Sequence, residues 1–233
     1  MAHVKKHLTL TLFALLGLRI LESAHAATAA AQAPAVRTIY LVRHGAYDHD
    51  TTQRSADGPG LVSLGIAQAR LTAARLRTLP QTPKVIVASS MRRARETAAV
   101  IHETLPEVKL GLADALRECT PRAAGNTRVS AEAAAACEQQ LDAAFANFFV
   151  PAVGSDESDV LVCHGNVIRY FVMKALGVDS TRWLQMTVGN ASITVIRVEP
   201  NGMLQVISVG DVGHLPPNLH SGYGERDPQL IVP

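Results

Sequence analysis

The sequence predicts an α/β fold: a three-layer α/β/α sandwich built around a mixed, mostly parallel sheet. Short β-rich apolar runs alternate along the chain with longer helical segments, which is the pattern of a parallel sheet covered on both faces. Two β-rich segments near the end are joined by Asn201-Gly202, a strong hairpin signal that makes the sheet mixed. The chain has 233 residues, 48% of them hydrophobic, which is enough for one such domain and short for two.

The individual elements follow from the apolar runs and from the residues that cap or end helices. Thr38–Val42 is a short apolar run typical of a strand buried on both faces, and Pro80 ends the first helix. Polar residues are placed to cap the helices that follow them, at Ser63, Ser89-Ser90 and Asn166. The predicted strands are 38–42, 84–88, 108–112, 160–163, 192–198 and 203–209, the predicted helices are 63–79, 91–105, 130–149 and 167–176, and 117–129 and 151–159 are predicted as connections.

The N-terminus has the composition of a secretory signal peptide cut after Ala26. Lys5 and Lys6 precede an apolar run, Leu8–Leu18, and small residues follow at Ala24-His25-Ala26. An uncleaved anchor or a buried N-terminal helix is the alternative. We predict export, to a bacterial periplasm, and divide the chain into a signal peptide (1–26), a flexible leader (27–35) and a single domain (36–233).

The charge balance excludes several classes of partner. The formal net charge is +2, and removal of residues 1–26 would leave a neutral chain. A neutral protein lacks the net positive charge that attracts nucleic acid or anionic lipid. No apolar run reaches the 18 or so residues that span a bilayer. We therefore predict no nucleic-acid partner and no stable membrane span after signal cleavage.

Three cysteines are present, and their spacing does not suggest zinc or redox chemistry. Cys119 and Cys137 could form a disulfide in an oxidising compartment. Cys163 ends an apolar run and is typical of a small buried hydrophobic residue. The sequence alone slightly favours three free thiols over one disulfide.

Polar, basic and glycine residues follow three of the predicted strands. The first strand runs into Arg43-His44-Gly45, the second into Ser89-Ser90 with Arg92 and Arg93, and the fourth into His164-Gly165-Asn166. Because ligands bind beyond the carboxyl ends of strands in an open α/β sheet, these groups should meet at one edge. Arginines and helix N-termini there favour an anion, and Gly45 and Gly165 let the backbone approach it closely. The pattern predicts a phosphate site.

Each of these signals has a simpler interpretation when it is taken alone. Arg92, Arg93 and Arg95 on one helix could form a solvated face, and Asn166 is more typical of a helix cap than of a catalytic group. Asp48-His49-Asp50, with His44 nearby, could hold a metal ion, but ligands in that spacing do not match a known site. The joint placement at three strand ends favours the phosphate site.

The same residues carry a resemblance to the histidine phosphatase superfamily, which has the phosphoglycerate mutase-like fold. Leu41–Gly45 resembles its signature, Ser89–Thr97 its second motif, Leu116–Glu118 the segment with an acidic residue, and Cys163–Tyr170 the segment with the second histidine. Over roughly Thr38–Pro217 the chain is most similar to the mitochondrial serine/threonine-protein phosphatases of that superfamily.

The resemblance implies a role for each site residue. His44 attacks phosphorus and becomes a phosphohistidine, while Arg43 and Arg93 hold the phosphate oxygens. A protonated His164 donates to the same oxygens. Glu118 protonates the leaving group and then activates water. No metal ligand and no cofactor are implied.

The function expected from these observations is metal-independent hydrolysis of phosphomonoesters, in a form such as a serine/threonine-protein phosphatase. The partner is then a phosphorylated substrate, either a phosphoprotein or a small phosphomonoester. Two alternatives stay open: a phosphoglycerate mutase-type phosphotransferase and a catalytically silent phosphate-binding module. The segment Ala46–His49 lacks the pattern of true mutases, which favours hydrolysis over isomerisation.

Overall fold

The computed structural model describes residues 33–48, 56–125 and 128–224. In this part of the chain the central sheet has six strands in the order β4-β3-β6-β2-β7-β8, and β1 and β5 form a separate antiparallel pair. The strands are β1 (Pro34–Ala35), β2 (Arg37–Arg43), β3 (Val85–Ser89), β4 (Lys109–Ala113), β5 (Ala152–Val153), β6 (Glu157–Cys163), β7 (Ile193–Val198) and β8 (Leu204–Asp211). The helices are α1 (Ser63–Arg77), α2 (Arg92–Thr104), α3 (Ala131–Phe148) and α4 (Gly165–Leu176).

The sheet is mixed and mostly parallel, as predicted. Strands β4, β3, β6 and β2 are parallel to one another, whereas β7 is antiparallel to both β2 and β8. In the register of the central pair, Arg43 lies opposite Cys163, and Ala88 of β3 lies opposite Val162. The carboxyl ends of β2, β3 and β6 therefore meet at one edge of the sheet.

The two faces of the sheet support separate hydrophobic cores, which makes the fold a three-layer sandwich. Successive side chains of a strand point to opposite faces, so each central strand contributes to both cores. One core lies against α3 and α4 and includes Ile39, Leu41, Leu161, Leu141 and Phe171. The other lies against α1 and α2 and includes Val42, Val160, Val162, Leu76 and Ile101.

The connection predicted over 151–159 is wrong, because β5 lies within it and β6 already begins at Glu157. Glu157, Ser158 and Asp159 are polar, which is why the sequence suggested a loop. Arg37 of the adjacent β2 forms ion pairs with both Glu157 and Asp159. A cation on the neighbouring strand thus allows acidic residues to enter the middle of the sheet.

The helix caps predicted before α1, α2 and α4 are also wrong. Ser130, which was not predicted to be a cap, caps α3, and its side chain accepts a hydrogen bond from the amide of Ala133. The residues before α1, α2 and α4 are Val62, Met91 and His164, and none of them makes a side-chain cap. The polar side chains near α2 and α4 make hydrogen bonds at the site instead.

The closing hairpin forms at Asn201-Gly202. The amide of Gly202 donates to the carbonyl of Glu199 (2.8 Å), and the amide of Glu199 donates to the carbonyl of Met203 (2.8 Å). Gly202 has φ +83°, a left-handed conformation that glycine adopts without steric cost. The turn is therefore a three-residue hairpin loop with glycine at its left-handed position.

Cys119 and Cys137 form a disulfide, so the sequence-based preference for three free thiols is wrong. The bond joins the segment after β4 to α3. Cys163 is free and buried at the end of β6, and burial raises the pKa of its thiol.

Residues 1–32 lie outside the described part, and with them the signal peptide predicted over 1–26. The flexible leader predicted over 27–35 needs correction at its end. Pro34 and Ala35 form β1, which pairs with β5. Among the described residues, no helix is both long enough and apolar enough to cross a bilayer.

Candidate active site

The predicted site residues come together at the carboxyl edge of the sheet. His44 and His164 follow the paired strand ends of β2 and β6, and their ring centroids are 5.1 Å apart. Both are buried, with exposures of 2% and 0%. Arg93 reaches His44 from the first turn of α2. This spacing allows both imidazoles to contact a single tetrahedral anion.

The ring of His44 is held at both nitrogens. Nδ1 lies 2.8 Å from the carbonyl oxygen of Gly45. Since a carbonyl only accepts, Nδ1 carries the proton and Nε2 keeps its lone pair. Nε2 accepts a hydrogen bond from Nε of Arg93 (3.0 Å). Burial, and also the positive charges of Arg43 and Arg93, hold the pKa of His44 well below its ordinary value, so the ring is neutral near pH 7.

The backbone around His44 is fixed by hydrogen bonds from α1 and α2. The amide of Gly45 donates to Oγ1 of Thr97 (3.0 Å), and the amide of Ala46 donates to Oε1 of Gln68 (2.8 Å). A Cβ on Gly45 would lie 2.5 Å from the carbonyl oxygen of Gly65, and one on Gly65 would lie 2.0 Å from that of Ala46. Gly45 is therefore required by the close packing of this loop on α1.

A turn before β7 supports the same loop from the other side. The amide of Ala191 donates to the carbonyls of Arg43 (3.0 Å) and His44 (3.2 Å). Nδ2 of Asn190 also donates to the carbonyl of His44 (3.1 Å). Ala191 has φ +55°, an uncommon conformation for a residue with a Cβ. The strained residue is thus located where the turn meets the His44 backbone.

Arg43 is oriented by the last described segment of the chain. Its Nη1 donates to the carbonyls of Val188 (2.6 Å) and Gly222 (2.7 Å). A Cβ on Gly222 would lie 2.3 Å from Oδ1 of Asn190, and this glycine has φ +83°. The backbone amide of Asn190 donates a hydrogen bond to the backbone carbonyl of Ser221 (2.8 Å). The segment around 221–222 therefore packs directly on the residues that surround His44.

His164 has a different environment from that of His44. Its Nε2 lies 2.8 Å from Oγ of Ser89, and its Nδ1 has no hydrogen-bond partner among the described residues. When the Ser89 hydroxyl donates to Nε2, the proton of the ring is on Nδ1. Burial, and then the charges of Arg93 and Arg43, lower the pKa of His164, which opposes protonation of the ring.

Glu118 lies beside His164, in the segment between β4 and α3. Its Oε2 is 3.7 Å from Nδ1 of His164, and its Oε1 accepts from the amide of Asn166 (3.2 Å). The side chain is 26% exposed. Burial raises the pKa of Glu118 to about 7, although Arg93 and Arg43 act to lower it. The carboxyl group can therefore exist in either protonation state near neutral pH.

A family model agrees with this geometry. The model of the histidine phosphatase superfamily (branch 1) matches residues 39–158 and 150–210, a span that includes every strand end described above. The chain belongs to the histidine phosphatase superfamily.

This histidine phosphatase is also similar to individual proteins. It is 37% identical over 197 residues to the mitochondrial serine/threonine-protein phosphatase PGAM5 of Xenopus tropicalis, covering 78% of this chain and 67% of the relative. The human protein of that name is 37% identical over 194 residues, with 80% and 66% covered. A phosphoglycerate mutase of Plasmodium falciparum has a similar structure, with a TM-score of 0.56, 28% identity, and 78% and 95% of the two chains covered.

These relatives contradict the predicted signal peptide and periplasmic location. The Xenopus tropicalis and human relatives are named as mitochondrial proteins of eukaryotes, which does not agree with a bacterial periplasm. The error has a physical origin. A basic start followed by a short apolar run describes only composition, and composition does not identify the membrane that a segment meets.

The histidine phosphatase site also contains residues that sequence reasoning did not assign. The ring of Tyr47 lies edge-on to His44, with centroids 5.1 Å apart, and Cζ of Arg93 lies 4.9 Å from its centroid. Ser89 and Asn166 were interpreted only as helix caps, yet they contact His164 and Glu118. Gly165 has a different role from Gly45, because a Cβ there would make ordinary contacts, 3.5 Å from Nε of Arg43.

Neighbouring arginines that the sequence left undecided have separate partners. Arg92 pairs with Glu96 on the exposed side of α2 (2.7 Å), and Arg95 pairs with Asp57 (3.1 Å). Arg93 is 6% exposed and is the member of this group that contacts His44. Of the Asp48-His49-Asp50 run, residues 49 and 50 lie outside the described part.

His44, Glu118 and His164 satisfy the distances of a metal site, since one ligand atom of each lies within 4.8 Å of the others. Their surroundings oppose a cation. Arg93 donates to the nitrogen of His44 that would have to bind the metal, and Arg43 adds a second positive charge. Two guanidinium groups at this range favour an anion between them.

Proposed function

We propose that this histidine phosphatase hydrolyses phosphomonoesters through a phosphohistidine at Nε2 of His44. The hydrogen bond between Nδ1 of His44 and the carbonyl of Gly45 carries the proposal. It leaves Nε2 unprotonated and aimed at Arg93, where an anionic phosphoryl group would be attracted. A neutral, buried imidazole with a fixed tautomer is a suitable nucleophile near pH 7.

In the first step, Nε2 of His44 forms a bond to phosphorus as the bond to the leaving oxygen breaks. Arg43 and Arg93 bind the phosphate oxygens through charge-assisted hydrogen bonds, which strengthen as charge spreads in the transition state. Nδ1 of His164 donates to the same oxygens, and this role is supported by the contact of Ser89 with Nε2, which leaves the ring proton on Nδ1 when the hydroxyl donates. Glu118, protonated, gives its proton to the leaving oxygen.

In the second step, water replaces the histidine. Glu118, now a carboxylate, takes a proton from the water as its oxygen bonds to phosphorus. The bond from phosphorus to Nε2 breaks, which regenerates neutral His44 and protonated Glu118 and releases phosphate. A pKa of about 7 suits a group that must give and accept a proton in the same cycle.

The substrate is a phosphorylated molecule, and we propose a phosphoserine or phosphothreonine protein as its class. The support is the sequence identity to proteins named serine/threonine-protein phosphatases. Small phosphomonoesters are the alternative. We propose no nucleic-acid partner, because the net charge is only +2. We also propose that the reaction needs no metal or cofactor, because Arg43 and Arg93 supply the positive charge.

A phosphoglycerate mutase-type reaction is the second candidate, favoured by the similarity to the Plasmodium falciparum enzyme. In that reaction the phosphoryl group returns to a substrate instead of passing to water. A coupled assay of 2- and 3-phosphoglycerate separates the two candidates, since a mutase interconverts them without net release of phosphate. A silent binding module would bind phosphate and do neither.

Detection of an acid-labile, base-stable phosphoenzyme tests the proposal directly. Wild-type protein is mixed with phosphoserine peptides, sugar phosphates and nucleotide phosphates in the presence of a chelator, and phosphate release is measured. Rapid quenching in base, followed by mass spectrometry, should find phosphate on His44. Release of phosphate without a modified His44 would contradict the proposed route, as would equal rates for wild type and His44→Ala.

A further inference from the structure

The segment that carries Glu118 is held by contacts that the proposed reaction does not itself use. Residues 117–125 form no helix or strand, so the backbone of the acid is not fixed by regular structure. Cys119, the next residue, is bonded to Cys137 of α3. Asn166 of α4 donates Nδ2 to the carbonyl of Cys119 (2.9 Å). The acid is thus connected to both helices on this face of the sheet.

Helix α3 holds this segment on both sides of Glu118. Nε2 of Gln140 donates to the carbonyls of Ala115 (3.2 Å) and Arg117 (3.0 Å), which precede the acid. The disulfide to Cys137 holds the residue that follows it. Residues three apart in a helix lie on the same face, so Cys137 and Gln140 form one surface against the segment. Of these links only the disulfide is covalent.

We propose that the Cys119–Cys137 disulfide positions Glu118 as the general acid, and that its reduction by a dithiol selectively weakens proton donation to the leaving group. The inference rests on the proposed function. In the reduction the S–S bond breaks, the dithiol supplies two electrons and two protons, two cysteine thiols form, and the dithiol becomes a disulfide. The catalytic histidines and arginines take no part in this change.

The fold should survive the reduction, because the other contacts of the segment remain. Gln140 still binds the carbonyls before Glu118, and Asn166 still binds the carbonyl of Cys119. Glu118 then has one restraint fewer on its carboxyl-terminal side. Because a displacement of about 1 Å can cost roughly 10²-fold in rate, a small movement of the carboxyl group has a measurable effect.

Leaving-group dependence separates this positioning role from general loosening of the structure. An alkoxide leaving group, as in a phosphoserine peptide, needs a proton as it departs, whereas p-nitrophenolate leaves without one. Misplacement of the acid should therefore slow the first substrate and spare the second. A disturbed nucleophile or phosphate site would slow both equally.

The experiment compares oxidised wild type with wild type treated with dithiothreitol. Thiols are counted by alkylation and intact mass, and kcat/KM is measured for a phosphoserine peptide and for p-nitrophenyl phosphate. We expect two newly alkylated cysteines, a loss of about ten- to a hundred-fold for the peptide, and little change for the aryl substrate. Buried Cys163 reports on unfolding, since a third alkylated thiol would mean that the core had opened.

Two variants serve as controls. Cys119→Ala/Cys137→Ala should behave as the reduced wild type does and should not respond to dithiothreitol. Glu118→Gln has no acid to misplace, so reduction should leave its peptide rate unchanged. An equal loss for both substrates, no loss at all, or three alkylatable thiols in the oxidised folded protein would each overturn the inference.

A measurement without catalysis distinguishes failure of this inference from failure of the proposed function. Reduction should increase amide hydrogen exchange in residues 115–125 and leave exchange in β2 and β6 unchanged. If the oxidised protein hydrolyses neither substrate, the proposed function fails, whereas the exchange still shows whether the disulfide restrains the segment. Unchanged exchange at 115–125 would overturn the positioning role.

Discussion

The carboxyl ends of β2 and β6 look alike in sequence but differ in structure. Each strand end is followed by a histidine and then a glycine, and the two histidines follow residues that are paired across the sheet. His44 is hydrogen-bonded at both ring nitrogens, whereas His164 is bonded at Nε2 alone among the described residues. When the Ser89 hydroxyl donates to Nε2 of His164, the ring of His44 presents a lone pair to the site and the ring of His164 presents an N–H.

This difference shows that the partners, and not the local motif, decide what each histidine can do. The partner that fixes the tautomer of His44 is the carbonyl of the next residue, and the partner of His164 is a hydroxyl on β3. With Ser89 as the donor, both rings carry their proton on Nδ1, and they differ in which nitrogen is left to face the site: Nε2 of His44 and Nδ1 of His164. The following predictions test this asymmetry.

Substitution of the two histidines by glutamine should give the largest effects, and unequal ones. His44→Gln should abolish turnover and the phosphoenzyme, because no nucleophile remains. His164→Gln should lower kcat by about 10²- to 10³-fold, the loss typical of one donor to a transition-state oxyanion, and should still form the phosphoenzyme. Rapid-quench labelling measures both quantities, and phosphoenzyme in His44→Gln but not in His164→Gln would reverse the assignment.

Glu118→Gln should reduce kcat/KM for alkyl phosphates by about 10²- to 10⁴-fold, which is the usual contribution of a general acid. Since Glu118 must be protonated in the first step and its pKa is about 7, the wild-type rate should fall as the pH rises above 7. The variant should lack this decline. Ionisation of the substrate affects both enzymes equally, so it cancels in the ratio of their pH profiles. A decline of equal size in the variant would assign it to another group.

Ser89→Ala and Thr97→Val should separate rate from stability at the two strand ends. Ser89→Ala removes the partner of His164 and should lower kcat by roughly two- to ten-fold, the value of one hydrogen bond. Thr97→Val leaves the buried amide of Gly45 without an acceptor and should cost about 1–3 kcal/mol in the free energy of unfolding. Denaturant unfolding and steady-state kinetics of both variants provide the test. An unchanged kcat in Ser89→Ala would contradict the role given to Ser89.

Ala191→Gly should have the smallest effect. Glycine relieves the strain at φ +55° but makes the unfolded chain more flexible, so the two contributions nearly cancel. We expect a change of less than about 1 kcal/mol in the free energy of unfolding. Thermal unfolding measures it, with Ala191→Val as the opposite control, since a β-branched side chain should destabilise this conformation clearly.

The fold and the core of the site could be predicted because their signals are local. An apolar strand followed directly by a histidine and a glycine places that histidine at the carboxyl edge of a parallel sheet, and this holds for both His44 and His164. The same reasoning applies to Arg93, because α2 begins shortly after the end of β3. The order of strands and the family resemblance then bring the three ends together.

The remaining features depend on contacts between distant parts of the chain. Nothing near Gly222 indicates that its carbonyl binds Arg43, which is 179 positions away. Ser89 and Asn166 were misinterpreted as caps because a polar residue before or within the first turn of a helix is ambiguous. Gly45 was expected to make room for a ligand, whereas it makes room for the backbone of Gly65. The Cys119–Cys137 bond could not be decided, because spacing alone does not determine pairing.

The pairing of Arg43 with Cys163 has a consequence for the diversity of such enzymes. The separation of the two reactive rings is set by the distance between adjacent hydrogen-bonded strands, so it does not depend on the length of any loop. Changes in the length of a connection can therefore alter the choice of substrate without altering the distance between the two rings. Because the sheet fixes the positions of His44 and His164, the loops around them can vary in sequence while the two rings stay in place.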